Sequence, residues 1–339
     1  MRTRPYRSVL YIPGSKERAL EKARGLPTDA VTSDLEDAAA PGEKTAARET
    51  LQVALSQSYG NRVRLVRING LDTEWGADDA RAVAGMDCDG ILLPKVETPA
   101  QLDALAALCD KPLWAMMETP LGMLNAAEIA AHPKLAGLVM GTNDLAKDLG
   151  ARFRADRLPM QAGLGLCLLA ARAHGCVIVD GVYNAFKDDT GLRAECDQGR
   201  DMGFDGKTLI HPAQLEIANA AFAPSEAEVD LARRQIAAFE EAEAQGQGVA
   251  VVDGKIVENL HVVTAREIIL VRLADHARGL RHAVPLENRP AEAHAQKLHH
   301  LRADRRTTRG HVAHPTPELI AKFREHDLLP DRRRGFPFL

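Results

Sequence analysis

Glu118 and Asp144 are the residues whose types and setting suggest chemistry first. Glu118 ends an otherwise apolar run, LWAMME, and is followed by Thr-Pro-Leu-Gly; Asp144 follows the next run in GLVMGTNDLAKDLG. Two carboxylates plus waters and a substrate oxygen make an open octahedral site for Mg²⁺, with Mn²⁺ as a substitute. Neither His nor Cys joins them, which argues against zinc. The plainer roles are a salt-bridged strand end for Glu118 and a helix N-cap for Asp144. Arg67, in RLVRINGLDTEWG, carries a fork that can hold a carboxylate or enolate oxygen. It can equally neutralise Glu36 or Asp37 in DLEDAAAP, where three acids stand within four residues and some must pair with cations. Lys95 offers a rival chemistry, a Schiff base, which needs a desolvated amine. Glu97 and Arg67 nearby weigh against it. No GxSxG elbow is present, so a serine acyl-enzyme is not expected.

These residues need a scaffold that brings strand ends together. Eight short apolar runs recur: SVLYIP (8–13), DAVTSDLED (29–37), RLVRIN (64–69), GILLPK (90–95), LWAMME (113–118), GLVMGT (137–142), VIVDGV (177–182) and GKTLIH (206–211). Segments of helical periodicity, such as KERALEKARGL and TPAQLDALAALCD, separate them. Near-continuous apolar strands suit a parallel sheet covered on both faces, and strict alternation with helices selects an α/β architecture. The spacing predicts a (β/α)8 TIM barrel over 1–222 in preference to an open doubly wound sheet. The latter would place a Gly-rich phosphate loop after the first strand, where Pro13-Gly14-Ser15-Lys16 stands. Polar residues gather at the C-terminal strand ends, including Glu36, Asp37, Arg67, Asn69, Lys95, Glu118, Asp180 and His211. In a barrel those ends open on one face, and strands about 4.8 Å apart let Glu118 and Asp144 reach one point.

Composition narrows the rest. The 339 residues are 45% hydrophobic and 27% charged, with a formal net charge of −4. Such a balance fits a globular protein and argues against nucleic acid as the main partner. No apolar run approaches membrane-spanning length, and MRTRPYRSVLYIPGS reads as a strand and not as a signal peptide. The five cysteines include no CxxC pair and suit reduced thiols in a cytoplasm. From Arg278 onward, 13 Lys plus Arg stand against 7 Asp plus Glu. The chain therefore divides into a catalytic barrel (1–222), a helical segment (223–276) and a basic His- and Arg-rich tail (277–339) expected to be mobile.

RSVLYIPGS, DLEDAAAP, RINGLDTEWG, ILLPKVETPAQLD, METPLGMLNAAEI, GTNDLAKDLG and DGVYNAFKDDTGLRAECDQGRDMGFDGKTLIHPAQ resemble the citrate lyase β-subunit-like group, which includes the malyl-CoA lyases. The resemblance runs from about Arg7 to Ala274. It implies a TIM barrel binding Mg²⁺ through Glu118 and Asp144, with Arg67 and Glu118 contacting the acyl group. It also implies a CoA-binding surface of Tyr11, Arg18, Lys22, Ile210 and His211, and a C-terminal lid within a homo-oligomer, a trimer or hexamer. Lyases of the group carry an aspartate thought to act on the acetyl-CoA methyl where Glu258 stands here. A carboxyl displaced by about 1 Å can cost 100-fold, which favours hydrolysis over carbon–carbon cleavage. The expected reaction is hydrolysis of (3S)-malyl-CoA to (S)-malate and CoA, with Glu36 or Asp37 activating water. Retro-Claisen cleavage of malyl-CoA or β-methylmalyl-CoA, or a citrate lyase subunit's citryl chemistry, is the alternative.

Overall fold

Each of the eight expected runs holds a strand, several shorter than the run itself. The computed structural model describes residues 4–283 and contains β1 (Ser8–Pro13), β2 (Ala30–Asp34), β3 (Val63–Arg67), β4 (Gly90–Leu93), β5 (Leu113–Met117), β6 (Leu135–Met140), β7 (Val177–Val179) and β8 (Lys207–Leu209). Each of β1 to β7 pairs in parallel with its sequence neighbour, and β8 returns to β1 with Val9 opposite Thr208. A bridge between Asp180 and Lys207 joins β7 to β8 and closes the ring. Helices fill the connections, among them Glu17–Ala23, Lys44–Leu55, Gly76–Ala84 and Thr142–Asp148. The structure is thus the α/β barrel that the alternation of runs and helical segments predicts.

Successive strand side chains alternate between the barrel interior and the helical layer. Val9, Leu65, Leu92, Trp114, Met116 and Val139 form an inner cluster made of strand residues. Leu10, Val66, Ile91 and Ile178 belong instead to the outer cluster, with helical residues such as Leu20 and Leu51. Trp114 fills the interior because β6 presents no side chain beside it: a Cβ at Gly137 would stand 2.4 Å from the indole.

The same alternation corrects one reading of the sequence. Asp180 follows inward-facing Val179, so its carboxylate turns outward into the helical layer, away from the mouth. There Arg157 Nη1 reaches both carboxylate oxygens at 2.7 Å and Lys207 Nζ stands at 3.1 Å. Lys207 also donates to Glu195 at 2.6 Å. Burial pushes the Asp180 carboxyl up, but Lys207 and Arg157 outweigh it and hold the group below its ordinary range. This network staples the seam where β7 meets β8, the ring's shortest junction.

Past Ala223 the chain forms a second compact unit. Ser225 caps its first helix, Glu226–Ala244, in a capping box with Glu228. A hairpin follows, β9 (Ala250–Val252) and β10 (Lys255–Val257), turning at Asp253-Gly254 with φ of 50° and 74° as a two-residue type I′ turn requires. The helix Asn259–Ala283 completes the unit, whose core includes Val229, Ile236, Val257, Val262 and Ile269. The tail expected to be mobile lies, beyond Ala283, outside the described residues. Cys88, Cys109, Cys167, Cys176 and Cys196 are buried and free. No helix among the described residues is long and apolar enough to cross a membrane.

Removing one partner of a buried ion cluster costs roughly 3–5 kcal/mol, because the other charge is left uncompensated. Lys207→Met is expected to lower the unfolding free energy by about 3 kcal/mol in urea denaturation. An unchanged midpoint and slope would contradict the staple.

Candidate active site

The mouth of the barrel is organised by a charge pair between neighbouring strands. Asp34 ends β2 and Arg67 ends β3, paired in register and both inward by the alternation. Arg67 Nε and Nη2 donate to the two carboxylate oxygens of Asp34 at 2.7 Å each, a fork-to-fork arrangement. Asp34 also accepts the backbone N–H groups of Glu36 and Ala38 at 3.0 and 3.1 Å. One carboxylate therefore fixes both the arginine and the acidic loop after β2. Arg67 Nη1 then lies 2.8 Å from Glu36 Oε2, and Nη2 lies 3.2 Å from Asp37. Burial pulls the guanidinium down, but Asp34 and its neighbours outweigh it and hold the group well above its ordinary range.

A second support comes from behind. Lys44 opens the helix Lys44–Leu55 yet is buried, donating to Leu35 O at 3.2 Å, Glu36 O at 2.9 Å and Asn69 Oδ1 at 2.6 Å. Its ammonium lies 4.9 Å from the Trp75 ring centroid, where the aromatic face attracts it. Asn69 is in turn held by Asp79, which accepts from its backbone and side-chain amides at 3.0 and 2.6 Å. The loops carrying Glu36 and Arg67 are thus tied to each other and to two helices.

Glu118 stands at the end of β5 with 1% of its surface exposed. Its Oε1 accepts the Lys95 backbone N–H at 2.8 Å. That N–H is aimed by a left-handed Lys95 backbone, φ 50°, an uncommon conformation for a non-glycine residue. On the other side a Cβ at Gly141 would lie 2.4 Å from Glu118 Oε2, so the exit of β6 must be glycine to admit the carboxylate. Burial, then the negative charges of Glu36 and Asp144, push the Glu118 carboxyl up to about 8. Asp144 is half-buried in the first turn of the helix Thr142–Asp148.

These acids fit a hard divalent cation. Their donors are all oxygens, Glu118 Oε2 takes no hydrogen bond among the described residues, and the local surplus of negative charge is what a cation relieves. Lys95 Nζ lies 3.8 Å from Glu36 Oε1. Burial pulls its amine down, but Glu36, Glu118 and Asp144 more than offset this and raise it. An ammonium held in its charged form is a poor imine-forming nucleophile, so the Schiff-base alternative loses its main requirement.

The remaining expected residues divide. Arg18 and Lys22 are exposed one turn apart on the helix after β1. Ile210 and His211 leave β8 beside β1, with Ile210 42% exposed and His211 stacked on Phe186 at 4.7 Å. Tyr11, on β1 next to the exit of β8, faces into the barrel, its ring 5.1 Å from the Arg67 guanidinium carbon. Glu258 is exposed at the end of β10 in the second unit, its N–H donating to His261 Nδ1 at 3.0 Å. Reading the sequence by residue type passes over Asp34 and Lys44. The alternation Ala30, Thr32, Asp34 places the first inward, a signal available without coordinates.

A family model described as HpcH/HpaI aldolase/citrate lyase matches residues 7–212. The chain is 73% identical over 267 residues to (3S)-malyl-CoA thioesterase of Cereibacter sphaeroides, covering 78% of this chain and 94% of the relative. It is 33% identical over 301 residues to the L-malyl-CoA/beta-methylmalyl-CoA lyase of Cereibacter sphaeroides, covering 78% and 94% respectively. Among solved structures, CitE from Mycobacterium tuberculosis in complex with magnesium, acetoacetate and coenzyme A superposes with a TM-score of 0.68 at 32% identity, covering 79% of this chain and 97% of that one. With its closed ring of eight strands and its acidic mouth, the chain belongs to the HpcH/HpaI aldolase/citrate lyase family.

Proposed function

We propose that this chain hydrolyses the thioester of (3S)-malyl-CoA, releasing (S)-malate and free CoA, with Mg²⁺ held by Glu118 and Asp144. The observation that carries the reading is the 73% identity, spanning 94% of the relative's length, to a (3S)-malyl-CoA thioesterase. When bound, the cation supplies electrophilic charge for the carboxylate and hydroxyl of the malyl group. The chain's own residues do the rest. Arg67, locked by Asp34, presents fixed positive charge to the thioester carbonyl, and preorganised charge costs no reorganisation during reaction. Glu36 is the better placed base for the attacking water. Burial lifts its carboxyl above the ordinary range despite Arg67, whereas the Asp37 side chain is 69% exposed. Arg18, Lys22, Ile210 and His211 form the surface for the CoA moiety, with two cations one turn apart for its phosphates.

The same reading includes a cytoplasmic location and a homo-oligomer, a trimer or hexamer, which light scattering on the purified chain would size. In the same reading Glu258 takes the place of the aspartate that the resemblance implies for lyases of the group, which favours hydrolysis over carbon–carbon cleavage.

Two measurements test the proposal. Purified enzyme given malyl-CoA and Mg²⁺ is expected to form malate in step with free CoA. Glyoxylate formed in step with an acyl-CoA would overturn hydrolysis in favour of retro-Claisen cleavage. The second concerns the cation. With its carboxyl titrating near 8, Glu118 holds a proton at pH 7 and must lose it to bind a metal. Titrating Mg²⁺ into weakly buffered protein at pH 7 is expected to release close to one proton per ion, declining toward zero by about pH 9. Binding without proton release at pH 7 would contradict this assignment of the site.

A further inference from the structure

The floor of the mouth contains two hydrogen-bond donors that share one poor acceptor. Arg67 has five N–H hydrogens. Nε and Nη2 serve Asp34 at 2.7 Å, with Nη2 also near Asp37 at 3.2 Å. Nη1 serves Glu36 at 2.8 Å and, with its other hydrogen, the sulfur of Met116 at 3.7 Å. The hydroxyl of Tyr11 donates to that same sulfur at 3.8 Å, its one hydrogen-bond partner among the described residues. A thioether accepts weakly. A half-buried hydroxyl left with so weak an acceptor forgoes most of the stabilisation that hydrogen bonding gives. An oxygen entering beside Met116 would take both hydrogens at little cost.

Both donors are held in place. Tyr11 and Met116 face inward from β1 and β5 and pack with the inner cluster. The Tyr11 ring lies 5.1 Å from the guanidinium carbon, and Asp34 holds that guanidinium by two hydrogen bonds. Burial also keeps the phenol proton in place, pushing the group well above its ordinary range. Tyr11 therefore donates without releasing its proton anywhere near neutral pH.

We propose that the Tyr11 hydroxyl is a catalytic hydrogen-bond donor which, paired with Arg67 Nη1, receives the thioester carbonyl oxygen where the Met116 sulfur now accepts. The inference rests on the thioesterase reading and adds a residue to its chemistry. As Glu36 takes a proton from water, the water oxygen bonds to the carbonyl carbon and the C=O π pair moves onto oxygen. Tyr11 and Arg67 keep their protons and stabilise that charge through two hydrogen bonds. The pair then returns to re-form C=O as the C–S bond breaks. The bonding electrons leave with sulfur as the CoA thiolate, and the proton from Glu36 passes to it or to solvent.

Tyr11→Phe removes one oxygen and leaves the ring beneath Arg67. With malyl-CoA and Mg²⁺, kcat is expected to fall about 100-fold with KM within about threefold, as for a lost oxyanion donor. Malate binding by calorimetry and the thermal midpoint are expected to stay near wild type. Met116→Leu removes the sulfur and is expected to keep kcat within about threefold, because the sulfur only occupies the oxygen's place. A Tyr11→Phe enzyme with wild-type kcat overturns the proposal. So does a Met116→Leu loss equal to that of Tyr11→Phe, which would mean that Tyr11 acts through packing. If wild-type enzyme forms no malate, the thioesterase reading itself has failed, and this donor role falls with it.

Discussion

Asp34 and Arg67 meet across adjacent strands through two 2.7 Å hydrogen bonds, and the rest of the mouth takes its geometry from that contact. A buried guanidinium is costly unless its hydrogens are satisfied and its charge is matched. Asp34 meets both demands and has capacity left to bind the N–H groups that shape the loop bearing Glu36. The arginine is thereby charged, immobile and aimed, with one Nη1 hydrogen spared for a stronger acceptor than sulfur. Lys44, Asn69 and Asp79 brace the same loops from the helical side, so the reacting groups inherit the stiffness of the barrel wall.

The barrel has a second buried ion cluster, and the two illustrate what one alternation can do. Residues two apart on a strand share a face. Asp34, Arg67 and Glu118 continue inward-facing series and converge above the packed interior. Asp180 continues an outward series and is spent on Arg157 and Lys207 at the seam. Both clusters are acidic side chains at strand ends, yet one organises a reaction site and the other closes a ring. Facing direction, and not residue type, separates them.

The sequence yields the architecture because eight apolar runs of strand length, spaced by amphipathic segments, leave few other ways to bury themselves. It also points to Glu118, Asp144 and Arg67, since a charged group ending an apolar run has little reason to be there for packing alone. What it conceals is partnership. Asp34 reads as one acid among three in DLEDAAAP, and only register against β3 reveals that it takes both ends of the fork. Lys44 begins a polar-looking helix, KTAARETL, and its burial follows from tertiary contacts with Trp75 and two loops. Tyr11 sits next to the segment bearing Arg18 and Lys22 in sequence, yet the alternation of β1 sends it inward.

The claim that Asp34 sets the geometry of the mouth is tested most directly by steady-state kinetics of Asp34→Asn. The amide keeps the shape and the capacity to accept on one side, but it cannot match the charge or receive both guanidinium hydrogens. Displacement of a reacting group by about 1 Å is worth on the order of 100-fold. A fall in kcat/KM for malyl-CoA of about that size is expected, with circular dichroism unchanged. Turnover within about threefold of wild type would contradict it and leave Arg67 positioned by something else.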